Sequence, residues 1–113
     1  MIDKVFSKLN NNLGNLKQVL KEIPANGTIT ITHTTAGFAY LVNVQGSLSN
    51  AWACYVLQGY GAGTSVRNRI MTIGAGEGIT IELVDNKFII SNTTTNTPTL
   101  SITVLLGELP SVM

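Results

Sequence analysis

Charge is scarce in this chain of 113 residues. Asp, Glu, Lys and Arg make up 12% of it, about half the usual share of roughly 25%. Six of the thirteen charged residues fall within residues 1–23, and Pro24 to Val66 contains none. With a net charge of +1 and no basic face, there is little to release counterions from DNA or RNA, which disfavours nucleic-acid binding. No run of about 18 apolar residues exists, so no membrane-spanning helix is expected. No basic flank followed by an apolar stretch opens the chain, so a secretory leader is not expected. The sequons at Asn26 and Asn92 then read as chance matches. Cys54 is the only cysteine and cannot form an intrachain disulfide; within "AWACYVL" it and Trp52 read as core residues.

One histidine, His33, leaves little for metal or acid–base chemistry, because both need a second orienting or ligating group. Three copies of His33 meeting on a three-fold axis are the one arrangement that would supply a metal site. Glu77, Glu82, Asp85 and Glu108 are the carboxylates that would have to pair for glycoside hydrolysis. Glu82 and Asp85 flank an expected turn and read as a solvated edge. No cofactor, metal or catalytic residue is expected.

What is present divides into two periodicities. Ile2, Phe6, Leu9, Leu13, Leu16, Leu20 and Ile23 are spaced 4, 3, 4, 3, 4 and 3. That heptad seam predicts a helix over residues 1–24, stopped by Pro24 and roughly 33 Å long. It would oligomerise as a coiled coil or attach to a larger body; one amphipathic helix packed on its own domain is the alternative. Leu at a with Ile at some d positions favours three or more strands over two. From Gly27 the period becomes two. "TITIT", "FAYLVNV", "AWACYVL", "VRNRIMTI", "GITIELV", "KFIIS" and "TLSITVLLG" predict seven short strands, with Asp85-Asn86 a tight hairpin turn. Residues 25–113 therefore form a mainly β domain, an antiparallel sandwich. An uncharged surface of this extent is expected to be partly buried between subunits.

The stretch "GAGEGI" (74–79) superficially suggests a phosphate loop. Such a loop must open a helix, whereas this one runs into the alternating "ITIEL", and Glu77 would repel a phosphate. Gly74, Gly76 and Gly78 are expected to serve a connection that needs positive φ or close backbone approach. Binding features lie elsewhere. Arg67 and Arg69 project from one face of a strand with Asn68 opposite; two guanidinium forks can grip a carboxylate or phosphate. Tyr60 in "QGYGAGTS" can stack on a sugar ring while Gln58, Thr64 and Ser65 bond hydroxyls. An intersubunit role for the arginines, and a rim-covering role for Tyr60, stay open.

The charge-poor, Thr- and Asn-rich β-domain behind a short heptad and the seam "IPANGTITI" resembles the trimeric receptor-binding knobs of tailed-bacteriophage fibres, of tail-fibre or head-fibre type. The phrases "AYLVNVQGS", "YVLQGYGAGTSVRNRIMTI" and "GEGITIELVDNKFIISN" share their strand rhythm. The resemblance implies a jelly-roll-like homotrimer on the virion, made in the host cytoplasm. Its N-terminal helix would attach to another virion protein. Its knob would bind a host-surface glycan or protein without catalysis, and Tyr60, Thr64, Arg67 and Arg69 would be the contact residues. A purely structural capsid or head-fibre decoration, and a glycan-cleaving enzyme, are the alternatives.

Overall fold

Alternation becomes strand wherever its apolar half has somewhere to go. In Phe38–Gln45, Phe38, Tyr40, Val42 and Val44 are buried while Ala39, Leu41, Asn43 and Gln45 face outward. The computed structural model describes residues 17–46, 52–60 and 67–113. Within them the strands are β1 (Gln18–Glu22), β2 (Thr28–Thr32), β3 (Phe38–Gln45), β4 (Ala53–Tyr60), β5 (Arg67–Ala75), β6 (Ile79–Val84), β7 (Lys87–Asn92), β8 (Thr99–Leu106) and β9 (Ser111–Val112). They form a five-stranded sheet, β1-β8-β3-β4-β5, and a four-stranded sheet, β6-β7-β2-β9. Every pairing is antiparallel. The mainly β class and the antiparallel sheets expected from period two are therefore present.

The two sheets share one core. Tyr40, Tyr55, Leu57 and Ile102 from the larger sheet cluster with Ile29, Ile31, Phe88 and Ile90 from the smaller one. Phe38 meets Phe88 edge-on across the gap, with centroids 5.9 Å apart. Each such side chain contributes about 1.5–3 kcal/mol by leaving water. The β6–β7 hairpin turns on Asp85 and Asn86, at φ 51° and 62°. That left-handed pair is what a two-residue turn requires, and Asx side chains tolerate it. Asn92, 2% exposed, clips the connection after β7. Its Nδ2 donates to the carbonyls of Pro24 (3.1 Å) and Asn96 (2.8 Å), and its Oδ1 accepts from the Thr94 amide and hydroxyl.

The expected helix over residues 1–24 fails at its C-terminal end. Residues 18–22 are strand β1, bonded to β8 from Gln18↔Thr103 to Glu22↔Thr99. Leu20 and Ile23, placed on one helical seam by the heptad, fall on opposite faces. Leu20 is 66% exposed and Ile23 is fully buried in the core. The open edge of β8 supplies a ladder of backbone bonds, and the core supplies a slot for Ile23; a helix here would forfeit both. The seam residues Ile2, Phe6, Leu9, Leu13 and Leu16 lie outside the described residues, as does Thr64.

Candidate ligand-binding site

The cleft is built by strand register. β4 and β5 pair Tyr60 with Arg67, Gly59 with Asn68 and Gln58 with Arg69. Period two then sends Tyr60, Gln58, Arg67 and Arg69 to the outer face, and Gly59 and Asn68 inward. These six residues line a cavity of about 330 Å³. Tyr60 is 79% exposed, so its ring does not cover the domain's own rim. The Arg69 Nε donates to Gln58 Oε1 at 3.2 Å, which ties that side chain across the strand pair. Among the described residues the one ion pair is Lys17–Glu108, and no carboxylate neutralises Arg67 or Arg69 there.

Below the cleft, polar and aromatic groups fix β5 to the rest of the domain. Asn68 Nδ2 donates to His33 Nε2 (3.2 Å) and to the Asn86 carbonyl (3.4 Å). The His33 Nδ1–H donates to the Thr35 carbonyl at 2.8 Å; that bond fixes Nε2 as the acceptor. The His33 ring stacks on Phe38 at 4.5 Å. Both ring nitrogens are thus engaged within the chain. Asn68 Oδ1 is buried without a partner among the described residues.

The structure brings together three of the four expected contact residues, Tyr60, Arg67 and Arg69, sets beside them Gln58, which the sequence also offered, and adds Gly59 and Asn68 to the lining. What the sequence reading missed is the role of Gly59: Phe38 fills the space over it. Comparison with protein-family models, with curated proteins and with solved structures returned no match. The carboxylates are dispersed. Glu82 and Asp85 lie on one exposed hairpin, Glu77 precedes β6, and Glu108 meets Lys17. Among the described residues no three His, Cys, Asp or Glu side chains gather as metal ligands.

Two core assignments need correction. Trp52 is 48% exposed. Cys54 is half-buried and pairs with Asn43, outside the buried core. In β4 the inward set is Ala53, Tyr55 and Leu57, so Trp52, Cys54 and Val56 take the other face. Of the glycines of "GAGEGI", Gly78 lies in the connection before β6 and Gly74 lies inside β5. Gly78 has φ +86°, and Trp52 lies so close over Gly74 that a Cβ there would stand 3.2 Å from its ring.

Proposed function

We propose that this chain is a non-enzymatic, homotrimeric adhesin knob of a virion fibre, and that its β4–β5 cleft binds an acidic glycan on a host surface. The observation that carries the reading is the cleft itself. An exposed aromatic ring stands beside two guanidinium groups across one strand pair. Stacking holds the sugar's apolar face, and the arginines supply charge-assisted hydrogen bonds worth about 1.5–3 kcal/mol each. Three weak sites on one body give avidity.

Assembly is supported by where the exposed apolar side chains lie. Met71, Ile73, Leu83 and Val84 occupy the β5/β6 edge; Leu20, Leu105, Leu106, Leu109 and Met113 occupy the region of the β1 and β9 edges. A two-fold contact would use one patch and leave the other wet. A closed ring joins the first patch of each copy to the second patch of the next, and the fibre-knob resemblance makes that ring a trimer. Strand nesting favours the jelly-roll-like form: β1 pairs with β8 and β2 with β7. The meander β3-β4-β5 within one sheet is this chain's departure from it. Virion attachment through residues 1–16 belongs to the same proposal.

The test is a glycan array probed with the full chain. Acid-bearing glycans should retain it, salt should weaken retention, and the double substitution Arg67→Gln/Arg69→Gln should reduce it at least tenfold. Failure to bind any acidic glycan would overturn the adhesin reading and favour a structural decoration protein.

A further inference from the structure

We infer that a second site, specific for uncharged sugar, lies at the opposite end of β4 from Tyr60, with Trp52 as its stacking platform. The eight residues of β4 separate the two ends by about 25 Å, so the sites do not merge. This inference stands apart from the acidic cleft and needs neither arginine.

Three observations converge on it. Two cavities, of about 490 and 340 Å³, share Asn43, Gln45 and Gly46 and so form one groove on the outer face of the five-stranded sheet. Trp52 lines one end, and Thr97, Thr99 and Ser101 line the other. The register explains the grouping, because Asn43 pairs with Ser101 and Gln45 with Thr99. Second, the indole is held in place. One part of the ring lies against the bare backbone of Gly74, and the Gly76 amide donates to the Trp52 carbonyl at 2.6 Å. A ring backed by glycine and 48% exposed offers a fixed apolar surface at little entropic cost.

Third, the polar lining carries no charge. Asn43 Nδ2 donates to Gln45 Oε1 at 3.4 Å, which leaves Gln45 Nε2 as a donor and Asn43 Oδ1 as an acceptor facing the groove. With the hydroxyls of Thr97, Thr99 and Ser101, these groups match the alternating donors and acceptors of a sugar's hydroxyls. The charge in register with Thr99 is Glu22 on β1, a carboxylate that disfavours an anionic ligand. An ionic group in this groove would lose hydration without a counter-charge. A pyranose has the complementary character, an apolar C–H face and a polar rim.

Trp52 is the sole tryptophan among three tyrosines, so emission excited at the red edge of the absorption band, where only indole absorbs, reads this site alone. Maltotriose and chitotriose, both neutral, are the probes. Titration of either should give a saturable change in Trp52 emission. Gln45→Ala and Ser101→Ala should each weaken apparent affinity about tenfold, while Arg67→Gln/Arg69→Gln should leave the curve unchanged. Saturation-transfer NMR on Trp52→Phe, whose ring stacks less well, should show weakened contact without loss of fold. The inference is overturned if neither sugar changes the emission, if the Gln45 and Ser101 variants titrate like wild type, or if the arginine variant abolishes the response. The last outcome would assign the sugar to the acidic cleft. The first leaves that cleft untouched, since the array tests it independently.

Discussion

Replacing Gly59 by alanine should unseat the aromatic cluster beneath the cleft. A Cβ at Gly59 would lie 2.0 Å from Phe38 Cε1, with Cδ1 and Cζ at 2.6 Å. Restoring an ordinary contact of 3.4 Å requires the ring to retreat by about 1.4 Å. Phe38 has no room for that move. It is 1% exposed, stacked on His33 at 4.5 Å and on Tyr40 at 4.8 Å, and edged by Phe88. Overpacking of this kind costs roughly 1–3 kcal/mol, and the confined ring places Gly59→Ala at the upper end. For a domain of this size that is a fall in melting temperature of roughly 10–20 °C. The assay is chemical denaturation of four proteins: wild type, Gly59→Ala, Phe38→Ala and the double variant. Phe38→Ala alone should cost about 3–5 kcal/mol, and the double variant no more, because the clash has lost its partner. Gly37→Ala is the control, since a Cβ there meets nothing within 4 Å and should change stability little. An unchanged midpoint for Gly59→Ala, or strict additivity with Phe38→Ala, would refute the reasoning.

Other substitutions probe separate parts of the account. Asn92→Ala should cost about 1–3 kcal/mol in denaturation, because it removes the buried side chain that ties the Pro24 and Asn96 carbonyls and the Thr94 amide together. Asn86→Ala should cost about 1 kcal/mol for its left-handed φ of 62°, whereas Asn86→Gly should cost nothing. Burial pushes the Tyr40 phenol up to about 12 and raises that of Tyr55. The folded state favours their neutral forms, so this contribution is intact below pH 10 and is lost as pH rises from 10 through 12. A melting curve should show that alkaline limb, and Tyr40→Phe should flatten it.

The strands of the two sheets were legible because their partners demand strict alternation. "FAYLVNV" and "KFIIS" each send every second residue to the shared core. The Asp85-Asn86 turn was legible for a local reason, the tolerance of Asx residues for positive φ. β1 was not legible. Its inward positions are Val19, Lys21 and Ile23, and Lys21 spoils the alternation by reaching out to the Val112 carbonyl at 3.1 Å. The spacing of Leu16, Leu20 and Ile23 meanwhile mimics a heptad. What decides the matter is pairing with β8, about eighty residues away, which no local period records. Trp52 was misread because "AWACYVL" is continuously apolar, and such a run does not reveal which face is buried. At the cleft, alternation alone placed Arg67 and Arg69 together. The join to Tyr60 and the seat of Phe38 over Gly59 are properties of register and packing.

The ring of knobs is the claim on which avidity at either site depends, and absolute mass in solution tests it most directly. Light scattering behind size exclusion should give three times 12.0 kDa, about 36 kDa, for the full chain. Met71→Asp/Ile73→Asp places carboxylates on an edge already exposed in the single chain. That variant should run at 12.0 kDa with its β-sheet circular dichroism intact. A wild type at the mass of one chain, or a variant that stays assembled, would contradict the edge-to-edge trimer.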